Sequence, residues 1–500
     1  MAVIYTSGQG DARTVSTDEP RLATSTLDRI TPGVPVGTRP PDATVGIVHL
    51  GIGAFHRAHQ AVFTEEAMAA EGVGHWGICG VTQRSRGVVD QLIPQDGLYG
   101  VLERSDRGVS IRVVGSVLEV VSATEQPELV RSRIADPAVG VVTLTVTEKG
   151  YRRDPAGSLD LRDPAVQADL ADAPAPVTAI GRLVRGLAHR RVENGAPLTV
   201  VSCDNLVANG AVVRALVADF CAALPGAEGE PLWDWVRSSV SFPSSMVDRI
   251  VPATTDDDRE QARRLLGVRD HGLVVAEPFR QWVIENDFAA PVPAWHRVGA
   301  TLTADVAPYE AVKLRLLNAT HSLLAYTGAL AGYATIAEAV RDETLAGAAA
   351  SLMAEDALPT LRCPDDLDLQ DYQRSVLERF ANPALRHRTT QVAMDGSMKL
   401  PVRLLGTVRD RLRAGAEPRW AALAVAAWMV YVARERDAAG HPLPVDDPLA
   451  DRLRLAAAGP DGGLVERMLD VEEVFDPELR DSTVFRALLT DGVEELLVTR

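Results

Sequence analysis

The chain has 500 residues, 46% of them hydrophobic, enough to bury the cores of two or three ordinary domains. It carries 68 acidic and 51 basic residues, a net charge of -17, so its surface repels nucleic acid and anionic membrane, and neither is expected as a partner. No charge-free run of about 20 apolar residues is present, and Cys79, Cys203, Cys221 and Cys363 form no CxxC pair, which fits a reducing cytoplasm rather than a membrane span or a disulfide scaffold.

Residues 1–42 are rich in Thr, Pro, Gly and charge, lack the order of a secretory leader, and are expected to form a loosely packed arm. VGIVHL (45–50) is a short apolar strand, followed at once by GIGAF. Residues 57–71 have helical spacing, and WGICGV (76–81) is a second buried strand. IRVVGSV (111–117), GVVTLTV (140–146) and PLTVVSC (197–203) have the same run-like character, with helical stretches at 163–190 and 210–224. Short apolar strands alternating with helices predict an α/β fold: a Rossmann-like, mostly parallel sheet over residues 43–295, covered on both faces. From residue 296 to 500 helix formers dominate, with helical patterns at 334–354, 370–380, 402–413 and 417–435, so a predominantly α-helical second domain is expected.

Gly51 and Gly53 sit where a strand turns into a helix. Without side chains there, backbone can approach a pyrophosphate while the first helical N–H groups face it. The third glycine of the usual fingerprint is missing, and Phe55 or His56 occupies that region. A bland strand-to-helix turn is the competing reading. An NAD site usually places a carboxylate after the second strand, on the ribose hydroxyls. Here the segment is Thr82-Gln83-Arg84-Ser85-Arg86, with no acid. Arg84 or Arg86 could instead meet the extra phosphate of NADP, or could be solvated loop arginines. His49, His56 and His59 could be metal ligands, but no HExxH or Cys/His spacing accompanies them, and no metal is expected.

Only three lysines occur, Lys149, Lys313 and Lys399, and arginine supplies every other basic side chain except histidine. Arginine stays protonated, whereas a buried lysine can lose its proton, so each lysine is a candidate for that task. The sharpest segment is KLRLLNATH. On an α-helix at about 100° per residue, Lys313 and His321 lie roughly 80° apart, with Asn318 between them in height. The surrounding leucines would desolvate Lys313 and lower its pKa, as a general base needs. Asn318 offers an amide N–H to oxygen charge, and His321 a bond to the same hydroxyl. In SCDNLVANG, Asp204, Asn205 and Asn209 follow a strand at the edge where open α/β sheets bind ligands. Glu148 ends another strand and could relay a proton. Asp248 lies in an apolar surround, where it could serve a ligand or pair with Arg249.

VHLGIGAFHRAHQAVFT, WGICGV, VTLTVTEKGYR, VSCDNLVANG, FPSSMVDRIVPAT, AEPFRQWVIENDF, VKLRLLNATHSLLAY and LRHRTTQVAMDGSMKLPVR together resemble the polyol-specific long-chain dehydrogenase/reductase family, which includes mannitol 2-dehydrogenases and fructuronate reductases. The resemblance runs from about residue 42 to the end. It implies an N-terminal dinucleotide-binding domain, a helical C-terminal domain, a reaction in the cleft between them, and no metal. It also implies Lys313 as general acid/base, Asn205 and Asn318 on the reacting oxygen, His321 and Asp248 on substrate, and Glu148 on the proton route. Gly51 and Gly53 would hold NAD, with NADP left open by Arg84 and Arg86. A monomer or weak dimer is implied. Lys149, Arg280, Arg315 and Lys399 add positive charge that a sugar acid would use, so hydride transfer between D-fructuronate and D-mannonate is the expected reaction. D-mannitol/D-fructose interconversion is the alternative, and a non-catalytic dinucleotide-binding regulator the remote one.

Overall fold

The computed structural model describes residues 19–37, 39–105, 107–171, 175–364 and 366–498. The chain divides into two compact units, the second beginning at Pro308. In the first, the strands are β1 (Val45–Leu50), β2 (Gly77–Thr82), β3 (Tyr99–Ser105), β4 (Gly108–Val114), β5 (Val117–Ser122), β6 (Val141–Leu144), β7 (Leu198–Ser202), β8 (Val240–Ser241), β9 (Ser245–Asp248), β10 (Val274–Ala276), β11 (Gln281–Glu285) and β12 (Thr301–Thr303). A six-stranded sheet has the order β5-β2-β1-β6-β7-β8, parallel throughout. Val48 and Leu50 enter one core cluster while Ile47, between Gly46 and Val48, enters another. Alternate side chains of a strand point to opposite faces, so the apolar run VGIVHL reflects burial on both.

The segment IRVVGSV is not one strand. β4 ends at Val114 and pairs antiparallel with β3 in a separate sheet, order β10-β3-β4. β5 starts at Val117 and joins the parallel sheet. Gly115 and Ser116 make the break. The Gly115 N–H donates to the Glu65 carboxylate and Ser116 Oγ donates to the Ala61 carbonyl, so helix Gln60–Glu71 pins the crossing. A third sheet, β12-β11-β9, ends at Asp248.

Residues 19–37 are not a loose arm as expected of residues 1–42. Leu22, Ile30 and Val34 are buried with Leu98, Ile111, Leu266 and Val275. Residues 1–18 lie outside the described residues. Pro and Thr set the local backbone here, but spaced apolar residues decide the packing.

The second unit is helical. Its axis is Arg419–Ala433, apolar almost all round and buried along most of its length, as such a sequence requires. Helices Ala319–Leu330 and Thr483–Val498 pack on it. Small residues permit the close approach: a Cβ on Gly492 would stand 3.0 Å from Ala426 Cβ.

Arginine also does structural work that a lysine could not. Arg190, 1% exposed, donates Nε to Ala196 O, Nη1 to Ile134 O and Asp136 O, and Nη2 to Val139 O and Pro197 O, at 2.8–3.0 Å. Five carbonyls from the chain entering β6 and β7 are thereby satisfied by one fork. Burial lowers its pKa to about 10, still far above neutrality. Arg190→Lys offers three donors and leaves at least two carbonyls unmet, at about 1–3 kcal/mol each. Denaturant unfolding should show a loss of roughly 2–6 kcal/mol; an unchanged midpoint would contradict this role.

Candidate active site

The turn after β1 is held from three sides. Gly51 has φ +108°, and a Cβ there would lie 2.1 Å from the Thr145 carbonyl oxygen, so only glycine fits. Thr145 Oγ donates to Gly51 O at 2.8 Å, and His49 Nε2 lies 3.1 Å from the same oxygen. Arg57 Nε donates to Gly53 O at 3.2 Å. Gly53 caps helix Ala54–Ala58, and a Cβ on it would meet only Gly51 O, at 3.7 Å. The missing side chain thus leaves an open cradle over first-turn N–H groups that have no intrahelical acceptor. The turn at Gly51 and Gly53 thus has room for an anion, while Phe55 stacks on His59 at 5.1 Å. The three histidines nearby do not converge. His49 also faces Thr143 Oγ1 at 2.7 Å, His56 stacks on His49 at 3.3 Å, and His59 Nε2 faces Gln281 O at 2.8 Å.

After β2 the two arginines differ. Arg86 is ion-paired with Glu125 and with Asp90, while Arg84 is exposed and its charge helps to lower the pKa of Arg182.

Asp204 ties the ends of β6 and β7 together. Its carboxylate accepts from Val146 N at 3.0 Å, Thr147 N at 2.9 Å and Tyr151 Oη at 2.7 Å. Thr147 has φ +66°, a conformation an L-residue adopts at a cost, and these bonds hold it. Glu148 and Lys149 follow in a short 3-10 turn, both exposed. Asn205, next to Asp204, is exposed too. Asn209 is buried and bonds Asp204 O, Ser245 O and Ser245 N, so of the two asparagines only Asn205 presents its side chain at the surface of this unit. Asp248 is 4% exposed, but Arg249 does not turn to it: its guanidinium pairs with Glu103 at 2.5 Å and donates to Glu277 O.

In the second unit, Lys313–Asn318 is a π-helical turn between helices Ala307–Val312 and Ala319–Leu330. The Ala319 N–H donates to Leu314 O, five residues back. This corrects the α-helical rotation assumed from sequence. An i to i+5 turn has more residues per turn than an α-helix, so it brings Lys313 and Asn318 closer to one side of the helix than α-helical rotation would. His321 follows one α-turn on. Two more π-turns, Leu352–Ala357 and Pro401–Leu405, pack against the first. Lys313 is 7% exposed, flanked by buried Val312, Leu316 and Leu317.

His321 is stacked on Phe380 and edge-on to His387, each at 4.8 Å. Burial, then His387, Arg403, Lys399 and Arg379, hold its pKa well below the ordinary value, so it is neutral. Its buried Nε2 has no partner in the protein. An orphan of that kind is costly unless a ligand or water completes it. His387, Arg403 and Arg379 escape sequence reading because they come from separate segments, a loop and two different helices, and share no spacing with His321.

The cations assigned to a carboxylate are placed differently. Arg280 pairs with Glu66 and lies 4.4 Å over the Phe63 ring. Arg315 pairs with Asp410 at 2.6 Å and donates to Thr360 O. Lys399 donates to the carbonyls of Val392 and Met394.

A parallel sheet with a glycine turn after its first strand, followed by a helical unit, is the architecture of a Rossmann-type NAD(P)-dependent oxidoreductase. Residues 45–297 match the mannitol dehydrogenase Rossmann domain, and residues 305–497 the mannitol dehydrogenase C-terminal domain. The chain belongs to the mannitol dehydrogenase family. It is 41% identical to the D-mannonate oxidoreductase of Escherichia coli over 460 residues, 90% of this chain and 93% of that one. It is 37% identical to mannitol dehydrogenase 2 of Saccharomyces cerevisiae over 478 residues, 95% and 94% of the two chains. The structure of Pseudomonas fluorescens mannitol 2-dehydrogenase in ternary complex with NAD and D-mannitol aligns with TM-score 0.87 at 36% identity, covering 96% of this chain and 97% of that one. Among the described residues no helix is long and apolar enough to cross a membrane.

Burial keeps several imidazoles neutral: His49 and His59 are lowered to about 3, and His387 to about 4. Their unfolded forms take a proton near pH 6.5, so their contribution is present above that pH and is lost as pH falls through it. Between pH 7 and pH 5 the loss is up to about 2 kcal/mol for each imidazole that stays neutral. Melting temperature should therefore fall steeply over that interval, and a flat profile would show that these groups titrate in the folded protein.

Proposed function

We propose that the protein interconverts a ketose-type sugar and its polyol, with Lys313 exchanging the hydroxyl proton. The observation that carries the reading is the buried Lys313–Asn318 π-turn followed by His321, whose Nε2 lacks a protein partner. The nicotinamide dinucleotide supplies or accepts the hydride. In oxidation, neutral Lys313 takes the hydroxyl proton as the carbon–hydrogen bond breaks; in reduction, the ammonium returns it. Asn318 donates an amide N–H to the oxygen as its charge changes. His321, kept neutral, bonds a neighbouring hydroxyl through Nε2 and fixes the sugar's orientation. In the first unit, Asn205 is assigned a second amide donor to the reacting oxygen, Asp248 a hydroxyl acceptor, and Glu148 the transfer of the proton to solvent.

The polyol is preferred to a sugar acid because Arg280 and Arg315 are engaged by Glu66 and Asp410. Meeting a carboxylate would require breaking those pairs. A sugar acid such as D-fructuronate is the second reading, favoured by Lys399, Arg403 and Arg379 around His321 and by the identity to a D-mannonate oxidoreductase.

Two measurements test this. Side by side, kcat/KM for D-fructose or D-mannitol should exceed that for D-fructuronate or D-mannonate; the reverse order makes the second reading correct. Lys313→Ala should lower kcat by about 10²–10⁴ while coenzyme Kd stays within about twofold. Near-normal turnover in that variant would remove Lys313 from the chemistry.

A further inference from the structure

The end of β2 is built from hydrogen-bond donors. Thr82 is buried, and its Oγ1 has no protein partner. Gln83 turns its Oε1 to accept from Arg182 Nη1, which leaves its own Nε2 without a partner. Arg182, 4% exposed, sits in the first turn of helix Ala179–Glu193 with its Nε likewise unpartnered. Burial lowers the Arg182 pKa to about 10; Asp169 opposes that shift and Arg84 adds to it. The Asp169 carboxylate is occupied by Val177 N, Thr178 N and Thr178 Oγ1 at 2.6–2.9 Å. Arg86 is spent on Glu125 and Asp90. What remains at this corner is exposed Arg84, next in the chain to the Gln83 that holds buried Arg182, together with an amide and a hydroxyl that can also donate.

In a Rossmann fold the adenosine ribose lies at this strand end, and a ribose diol asks for an acceptor there. Donors and like charges ask for the opposite, a multiply charged oxyanion that accepts from all of them and relieves their repulsion. We propose that Arg84 and Arg182, with Gln83, form a subsite for the 2′-phosphate of an adenine dinucleotide, so that the protein binds NADP(H) at least as tightly as NAD(H). Arg84 supplies the accessible fork and Arg182 the fixed one, held by Gln83. The assignment rests on the dinucleotide turn at Gly51–Gly53 but not on the sugar substrate.

The test is calorimetric titration with 2′,5′-ADP and 5′-AMP, which differ only in the 2′-phosphate and need no sugar turnover. The wild type should bind 2′,5′-ADP at least tenfold more tightly. Arg84→Ala, at an exposed position, should erase most of that difference while changing 5′-AMP affinity less than twofold, and Arg86→Ala should leave both unchanged. NADPH and NADH titrations should follow the same pattern. Equal affinity of the wild type for the two nucleotides overturns the subsite, as does an equal loss for both in Arg84→Ala, or a selective loss in Arg86→Ala. If sugar turnover fails while 2′,5′-ADP binds selectively, the reaction assigned above is wrong and the subsite stands.

Discussion

Burying an ammonium inside a helix made of leucines is the constraint on which the second unit turns. A charged group removed from water costs several kcal/mol unless its surroundings answer it, or unless it gives up the proton. Lys313 is placed under that demand with Val312, Leu316 and Leu317 buried around it while Arg315 turns outward to Asp410. The π-turn makes the placement useful. The wider turn changes the angle between Lys313 and Asn318, and the α-helix resumes in time to set His321 one turn beyond. Two other π-turns pack on this one, so the distortion is shared by three segments and is not a local accident.

The first unit solves a different problem, holding flexible strand ends still. Asp204 fixes the loop after β6 from the loop after β7, at the price of a strained Thr147, and leaves Glu148 and Asn205 at the surface. Arg57, His49 and Thr145 do the same for the glycine turn. Arginine is the recurrent tool. Arg190, Arg249 and Arg57 each satisfy backbone carbonyls that a lysine could not reach together.

Much of this was legible in the residues. Apolar runs alternating with helical spacing gave the parallel sheet, because strands buried on both faces carry no polar alternation to confuse them. GIG after VGIVHL located the turn, and KLRLLNATH located the helix. Other features were not legible. No spacing announces a π-turn, since it is set by packing of distant segments. IRVVGSV reads as one strand because the bonds that break it come from Glu65 and Ala61, far away in sequence. Residues 19–42 look loose by composition, yet Leu22, Ile30 and Val34 are core. Arg280 and Arg315 look available to a carboxylate until Glu66 and Asp410 are seen beside them.

The central claim is that Lys313 exchanges a proton with the reacting hydroxyl. Its most direct test is chemical rescue of Lys313→Ala with primary amines, measured on a variant shown to be folded and to bind coenzyme. Small amines should restore polyol oxidation in proportion to their concentration, with rates that depend on amine basicity, while tertiary amines too bulky for the site should not. A variant that oxidises the polyol without amine, or whose residual rate no amine changes, would contradict the account.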